Sequence, residues 1–147
     1  MSNISLELRK AFLAADVRPT VQRFAVLHHL ARHGVHATAE EIFRAVNRQD
    51  PRASRATVYN SLKSLTRAGL VREVISEGKA ARFDASLHPH HHFVCDRCGA
   101  VEDTPWFELP AAGKQALGAR QVRRFEVVFR GVCEKCGGSQ PLTGEVI

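Results

Sequence analysis

Residues 54–84 read SRATVYNSLKSLTRAGLVREVISEGKAARFD. Ser54 has the side chain of a helix N-cap, and apolar residues recur after it at helical spacing until Gly69, which predicts a helix. The two segments that follow, Leu70 to Ile75 and Ala80 to Asp84, predict a β-hairpin because a polar, glycine-containing turn separates them. A helix that leads into a hairpin is typical of the winged form of the helix-turn-helix domain.

The residues before this stretch predict three further helices. Apolar spacing indicates one helix from Ile4 to Phe12, a second from Val21 to Gly34, and a third that begins at Thr38. Thr38 and Glu41 have the spacing of a capping box, in which each side chain accepts a hydrogen bond from the other residue's backbone N–H. Several short helices and a hairpin complete the pattern of a winged helix-turn-helix domain.

The positive charge is concentrated in the same part of the chain. The 147 residues carry 21 Lys and Arg and 15 Asp and Glu, a net charge of +6, and residues 1–84 hold the whole excess. Such asymmetry suggests two units, one of which faces a polyanion, either nucleic acid or an anionic membrane surface. A surface that is charged only for solubility is the alternative on charge alone. The helix and hairpin favour duplex DNA.

Composition excludes several classes of protein. Hydrophobic residues make up 44% of the chain and charged residues 24%, an ordinary globular mixture that argues against extensive disorder. No apolar run approaches the roughly 20 residues that a membrane helix needs. The first residues lack the pattern of a secretory signal, so we expect a cytoplasmic protein without a membrane partner.

The helix that begins after Ser54 is expected to enter the major groove of DNA. Arg55 is expected to reach guanine or phosphate, Asn60 to pair with adenine, and Tyr59 to pack on a thymine methyl group. The phosphate contacts are expected from Arg52, Lys63 and, on the hairpin, Lys79. Thr57 is predicted to lie on the same polar side of the helix.

Four cysteines form two Cys-x-x-Cys pairs, Cys95 with Cys98 and Cys133 with Cys136. Two such pairs can surround one tetrahedral Zn²⁺ ion, and four thiolates leave no open position for a substrate. Two disulfides are the rival interpretation, against which the missing secretory signal argues. A lone thioredoxin-like motif would leave one pair unexplained. The sequence therefore predicts a structural zinc site.

Histidines at positions 88 and 90–92 indicate a second site of different chemistry. In a strand, His90 and His92 would share one face, with Asp103 on the next predicted strand and Asp84 at the end of the hairpin. Nitrogen and oxygen donors of this kind suit Fe²⁺, Mn²⁺ or Zn²⁺. A polar loop with exposed imidazoles is the alternative.

With these motifs, the sequence resembles the ferric uptake regulator family of bacterial metal-dependent repressors over about residues 5 to 138. The matching pieces are VRPTxQR at 17–23, HxTAEE at 36–41, ATVYNxL at 56–62, HHHxxCxxCG at 90–99 and GxCxxC at 131–136. The resemblance implies an α+β fold and a homodimer. Its predicted divisions are a winged helix-turn-helix DNA-binding domain at 1–84, a hinge with metal ligands at 85–92, a small α/β dimerisation and zinc-binding domain at 93–138, and a tail at 139–147.

Within the family, the sequence is most similar to the peroxide-sensing branch. That branch has a regulatory site of three histidines and two aspartates, and the matching positions here are His36, Asp84, His90, His92 and Asp103. Iron-sensing members commonly have Glu at the position of Asp103 and Arg at the position of Asn60. A glutamate, Glu102, directly precedes Asp103 in this sequence. Many iron and zinc sensors also have a histidine shortly before the third cysteine. Residues 123–130 contain none, so that additional site is predicted to be missing.

The resemblance implies a repressor that binds a palindromic operator in double-stranded DNA when Fe²⁺ or Mn²⁺ occupies the regulatory site. With Fe²⁺, peroxide would oxidise a ligand imidazole, with His36 and His90 as the candidates, whereas the Mn²⁺ form would be insensitive. Oxidation of its own side chain is not turnover, so no enzyme is expected. The alternatives are an iron- or zinc-responsive repressor of the same family, a metal storage protein or chaperone, and a zinc hydrolase, whose His-Glu-x-x-His motif is not present.

Overall fold

Four helices dominate the N-terminal part of the computed structural model, which describes residues 3–33, 36–74 and 80–137. Internal contacts divide the chain into two units, Met1–Pro89 and His90–Ile147. The helices of the first unit are α1 (Asn3–Ala14), α2 (Val21–His33), α3 (Ala39–Gln49) and α4 (Arg55–Arg67). The sequence thus predicted all four helices of this unit to within a few residues.

Side-chain caps set the starts of α3 and α4. The Thr38 hydroxyl accepts a hydrogen bond from the Glu41 backbone at 3.2 Å, and the Glu41 carboxylate accepts one from the Thr38 backbone at 2.8 Å. Ser54 caps α4 by accepting from the Thr57 backbone N–H at 3.1 Å. Both predicted caps are confirmed. Gly69 follows α4 with a φ of 74°, a left-handed conformation that glycine adopts without strain.

A three-stranded antiparallel sheet completes the first unit. Its strands are β1 (Ala37–Thr38), β2 (Val71–Val74) and β3 (Arg82–Ala85), in the order β1-β3-β2. The predicted hairpin strands correspond to β2 and β3, while the predicted turn at 75–79 lies outside the described residues. The short strand β1 was not predicted, because two residues are too few to show a period.

One apolar cluster holds the first unit together. Leu8 and Phe12 of α1 pack with the buried sides of the other helices, represented by Leu27, Ile42 and Leu65. Val21, the first apolar residue of the predicted second helix, lies outside this core, with 70% of its surface exposed. It is the first residue of α2, whose buried face begins one turn later. The cluster packs the helices against β2 and β3 and so fixes the position of the sheet.

The second unit is built on a mixed sheet. Its strands are β4 (His91–Cys95), β5 (Val101–Thr104) and β6 (Val128–Gly131), with β4 between an antiparallel β5 and a parallel β6. Two short helices accompany them, α5 (Ala111–Leu117) and α6 (Glu134–Gly137). The two units together form the predicted α+β fold. Their division between residues 89 and 90 falls within the segment 85–92 predicted as a hinge.

Among the described residues, we find no helix with the length and apolar character that crossing a membrane requires.

Candidate metal centres and DNA interface

The four cysteine sulfurs lie together in the second unit, all within 4.8 Å of one another. Zn–S bonds of about 2.3 Å in a tetrahedron place the sulfurs about 3.8 Å apart. The Sγ atoms of Cys98 and Cys133 are 3.8 Å apart, too far for a disulfide and right for two ligands of one ion. The donor set therefore fits a four-cysteine zinc site, as predicted.

Backbone geometry prepares these sulfurs for a cation. The Cys133 backbone N–H donates to the Cys95 sulfur at 3.3 Å. Backbone N–H groups of Cys98 and Cys133 lower the pKa of the Cys95 thiol to about 6. Hydrogen bonds with the Cys133 and Cys98 sulfurs instead raise the pKa of Cys136 to about 12. Four crowded sulfurs do not all ionise by themselves, and a divalent cation is what removes the last protons.

One further contact joins the two cysteine turns, and another closes the first of them. Arg97, inside the first turn, donates to the backbone oxygen of Cys136 in the second at 2.7 Å. Gly99, directly after Cys98, has a φ of 70°, which lets the chain turn back so that its N–H reaches the Cys95 carbonyl at 2.8 Å. The site is therefore built from the end of β4 and the turn after it, together with Cys133 before α6 and Cys136 within α6.

His36 and Asp84 form a buried pair in the first unit. Ala37 pairs with Phe83 and Thr38 with Arg82 across β1 and β3, so the residues before and after these pairs face each other as well. The His36 Nε2 atom lies 3.9 Å from Asp84 Oδ1, and both side chains are at least 95% buried. This distance is longer than a hydrogen bond and slightly longer than the roughly 3 to 3.5 Å between neighbouring ligands of one divalent ion.

Arginines hold both members of this pair in place. The Arg82 guanidinium donates to the His36 backbone oxygen at 2.8 Å and also contacts Glu41 of the α3 cap at 3.3 Å. On the other side of β3, Arg72 donates to Asp84 Oδ2 at 3.1 Å, and its side chain is 9% exposed. Asp84 thus has one oxygen bound to Arg72 and the other directed to His36. Sequence spacing did not indicate Arg72, because the strand register alone brings it opposite Asp84.

His90, His92 and Asp103 form a cluster in the second unit. His92 pairs directly with Asp103 across β4 and β5, as predicted for neighbouring strands. Asp103 Oδ1 lies 3.4 Å from His90 Nε2 and 3.9 Å from His92 Nε2, and the two imidazole rings are 4.8 Å apart. Two imidazole nitrogens and a carboxylate oxygen directed to one point are suitable ligands for a borderline divalent metal.

His91 points to the opposite side of β4, as the alternation predicted. It is fully buried between Trp106 at 4.6 Å and Phe107 at 4.2 Å, and Phe125 is also in contact. Its Nδ1 accepts from the Val127 backbone N–H at 3.2 Å, and its Nε2 lies 3.3 Å from the Phe107 backbone oxygen. His91 is therefore a hydrogen-bonded core residue. His88 lies in the first unit, 2.6 Å from Glu7, and belongs to neither cluster.

Helix α4 carries the residues predicted to contact DNA. Tyr59 is 51% exposed, and Asn60 and Lys63 line an open cleft of about 520 Å³ together with Arg23 and Arg67. Arg52 precedes the helix with its side chain 89% exposed beside Asp50. A helix face of this composition suits a negatively charged duplex.

Three of the predicted DNA contacts, Arg52, Arg55 and Thr57, bind other residues of the unit, and a fourth lies outside the described residues. The Arg55 guanidinium binds both carboxylate oxygens of Glu40 at 3.0 to 3.3 Å and lies over the Phe43 ring at 4.5 Å. Thr57 shares a hydrogen bond of 2.8 Å with the Ser54 hydroxyl. Lys79 is outside the described residues. The helical period placed Arg55 outward but gave no sign of its partner on α3.

Comparison with known proteins agrees with these features. Residues 14–130 match the model of the ferric uptake regulator family. The peroxide-responsive repressor PerR of Staphylococcus aureus is 35% identical over 127 residues, which cover 83% of this chain and 84% of that protein. The solved structure of the Campylobacter jejuni peroxide stress regulator matches with a TM-score of 0.68 at 27% identity, over 92% of this chain and all of that one.

A second solved structure supports the fold alone. The Helicobacter pylori ferric uptake regulator, itself described with three functional metal-binding sites, matches with a TM-score of 0.67 at 22% identity, over 93% of this chain and 94% of that one. The family model covers most of the present chain, and the similarity to the Staphylococcus relative extends over 83% of it. This chain therefore belongs to the ferric uptake regulator family, whose members are dimeric, metal-dependent, DNA-binding repressors.

Proposed function

We propose that this protein represses transcription while a divalent metal occupies its regulatory site, and releases DNA when peroxide oxidises a histidine of that site. The observation that carries the proposal is the pairing of imidazole nitrogens with aspartate oxygens at 3.4 to 3.9 Å in both units. The similarity to a peroxide-responsive repressor and to a peroxide stress regulator supports the choice of signal.

The regulatory site is proposed to take ligands from both units: His36 and Asp84 from the first, and His90, His92 and Asp103 from the second. Each set offers imidazole nitrogens and carboxylate oxygens, which are suitable ligands for Fe²⁺ and Mn²⁺. Ligands from two units make their relative arrangement depend on metal, so metal binding shifts the population toward one arrangement. That arrangement is the one proposed to bind DNA.

The DNA-binding part of the proposal concerns helix α4 and the β2–β3 wing. Two copies of the chain place two such helices on one duplex, which requires a palindromic operator with half-sites about one helical turn apart. In this assignment residues 1–84 bind DNA, 85–92 act as the hinge, 93–138 dimerise and bind Zn²⁺, and 139–147 form a tail. We place this function in the cytoplasm, where the operator is.

The proposed peroxide response is a single oxidation of the chain itself. Held by the five proposed ligands, Fe²⁺ would supply the redox chemistry that lets peroxide react beside them, while the two electrons that reduce peroxide come, in the net change, from the imidazole. His36 and His90 are the proposed targets, one in each unit. In the net change an imidazole C–H becomes a C=O group and peroxide is reduced to water, so the side chain gains one oxygen atom. Because each protein reacts once and does not return to its starting form, this is sensing and not enzymatic turnover.

The decisive experiment loads the zinc-containing dimer with Fe²⁺ or Mn²⁺, adds peroxide, and follows operator binding and peptide masses. We expect the Fe²⁺ form to release DNA and to gain one oxygen on the peptide that contains His36 or His90, and the Mn²⁺ form to do neither. The peptide with His28 and His29 is an internal control, because these histidines lie on α2 outside the proposed ligand set. Release without a mass gain, governed by metal concentration alone, would instead identify an iron- or zinc-responsive repressor.

A further inference from the structure

The segment before β6 runs along β4 and contacts both of its histidines, His91 and His92. The His92 backbone N–H donates to the Val127 carbonyl at 3.1 Å, and β6 continues from there parallel to β4. Just before this contact, Glu126 Oε1 lies 2.6 Å from His92 Nδ1. The His92 side chain is fully buried and the Glu126 side chain is 28% exposed. A separation of 2.6 Å is that of a short, charge-assisted hydrogen bond.

The contact determines where His92 carries its proton. A carboxylate oxygen accepts hydrogen bonds, so the proton shared with Glu126 belongs to Nδ1, and Nε2 keeps its lone pair. That lone pair is on the side of Asp103, whose Oδ1 lies 3.9 Å from Nε2. Glu126 and Asp103 therefore approach opposite edges of the same imidazole. The first edge is used for a hydrogen bond, and the second faces the carboxylate of another proposed metal ligand.

The neighbouring residue shows the opposite arrangement. Val127, directly after Glu126, donates its backbone N–H to Nδ1 of His91 at 3.2 Å, so the His91 proton lies on Nε2, next to the Phe107 carbonyl. Both His91 nitrogens are thus used within the core. Two consecutive residues of one segment therefore hold two consecutive histidines in different tautomers, and that of His92 directs the Nε2 lone pair to the side of Asp103.

We propose that Glu126 is a positioning residue for the regulatory metal, which fixes the tautomer and ring orientation of His92 without itself binding the ion. The role rests on the proposed function, since it requires His92 to be a ligand. A carboxylate on the far nitrogen raises the basicity of the near one and prevents the ring from turning. Partners of this kind typically change metal affinity by about 10- to 100-fold when they are removed. Glu126 would therefore set the metal concentration at which the protein responds.

The test compares three variants of the full-length, zinc-loaded protein. Glu126→Leu removes the acceptor, Glu126→Gln keeps an amide oxygen that accepts from Nδ1 but removes the charge, and Glu108→Gln removes an exposed charge of the same unit as a control. Mn²⁺ affinity is measured by calorimetry, and the His92 tautomer by the ¹⁵N shifts of the imidazole in protein without Mn²⁺. Zinc content and the circular dichroism spectrum show that each variant is folded.

We expect Glu126→Leu to raise the Mn²⁺ dissociation constant about 10- to 100-fold and to populate both His92 tautomers. Glu126→Gln should recover much of the affinity and the Nδ1–H tautomer, a rescue that a purely structural role does not predict. Glu108→Gln should match the wild type. An Mn²⁺ affinity of Glu126→Leu within twofold of the wild type, or an unchanged His92 tautomer, overturns the positioning role.

A His92→Ala variant separates this proposal from the one on which it rests. If His92→Ala loses Mn²⁺ affinity while Glu126→Leu keeps it, the positioning role alone is wrong. If His92→Ala binds Mn²⁺ as tightly as the wild type, His92 is not a ligand, and the proposed regulatory site fails together with the role of Glu126.

Discussion

His36 lies opposite Asp84 across the β1–β3 ladder, with Nε2 and Oδ1 3.9 Å apart in the interior of the first unit. The pair is separated by almost fifty residues in sequence, and only the strand register brings it together. The register also places Arg72 on the other side of Asp84, because Arg72 pairs with Asp84 between β2 and β3. One carboxylate is therefore shared between a fixed cation and a proposed metal ligand.

This arrangement predicts that Arg72→Leu destabilises the metal-free protein. Removing the arginine leaves the Asp84 carboxylate buried without its ionic partner, and breaking a buried pair in this way typically costs about 3 to 5 kcal/mol. Chemical denaturation of the protein without Mn²⁺ measures this loss. Mn²⁺ should then stabilise the variant more than it stabilises the wild type, since the ion replaces the missing positive charge. Equal stabilisation of both proteins by Mn²⁺ would show that Asp84 does not bind the ion.

The capping box of α3 predicts a pH-dependent contribution to stability. The backbone N–H of Thr38 lowers the pKa of Glu41 below its usual 4.5, and Arg82 acts in the same direction. A carboxyl whose pKa is lower in the folded state stabilises that state above its unfolded pKa and loses the effect as the pH falls through the folded value. Glu41→Gln should therefore be less stable than the wild type at pH 7, and the difference should shrink below about pH 4.

Denaturation series from pH 7 to pH 3 test this prediction. Glu73→Gln serves as the control, because Glu73 is an exposed carboxylate on β2 of the same unit. Thr38→Ala removes the other half of the box and should cost about 1 kcal/mol at neutral pH. A difference between Glu41→Gln and the wild type that stays constant over the whole pH range would contradict the assignment.

Loss of a zinc ligand is expected to affect the two units unequally. Cys133→Ser removes a buried ligand that lies between β6 and α6, and we expect the protein to lose its Zn²⁺ and the order of the second unit. The first unit has an apolar cluster of its own, so its four helices should persist. Metal analysis and far-ultraviolet circular dichroism measure the two effects. A Cys133→Ser protein with one Zn²⁺ per chain would exclude the four-cysteine site.

Local pattern in the sequence was sufficient for the features that depend on neighbouring residues. It predicted the four helices of the first unit, both N-caps and the shared face of His90 and His92, since helical period, capping and strand alternation act over a few residues. It did not predict the partners of Arg55 or His92. Glu40 is on another helix and Glu126 is more than thirty residues away, so tertiary packing decides both contacts. The helix α5 was also missed, because none of its residues is buried.

Substitutions of Lys63 and Asn60, two residues on α4, are expected to affect DNA binding differently. Lys63→Ala should weaken binding to operator and unrelated DNA alike and reduce the slope of log K against log salt by about 1, as expected for one lost phosphate contact. Asn60→Ala should leave that slope unchanged and lower discrimination against a substituted A·T pair by about 1 to 3 kcal/mol. Titrations of Mn²⁺-loaded protein at several salt concentrations separate the two effects. Lys114→Ala, which removes a positive charge from the second unit, should change neither quantity. If Asn60→Ala instead weakens binding equally on all sequences, the residue positions the helix and does not contact a base.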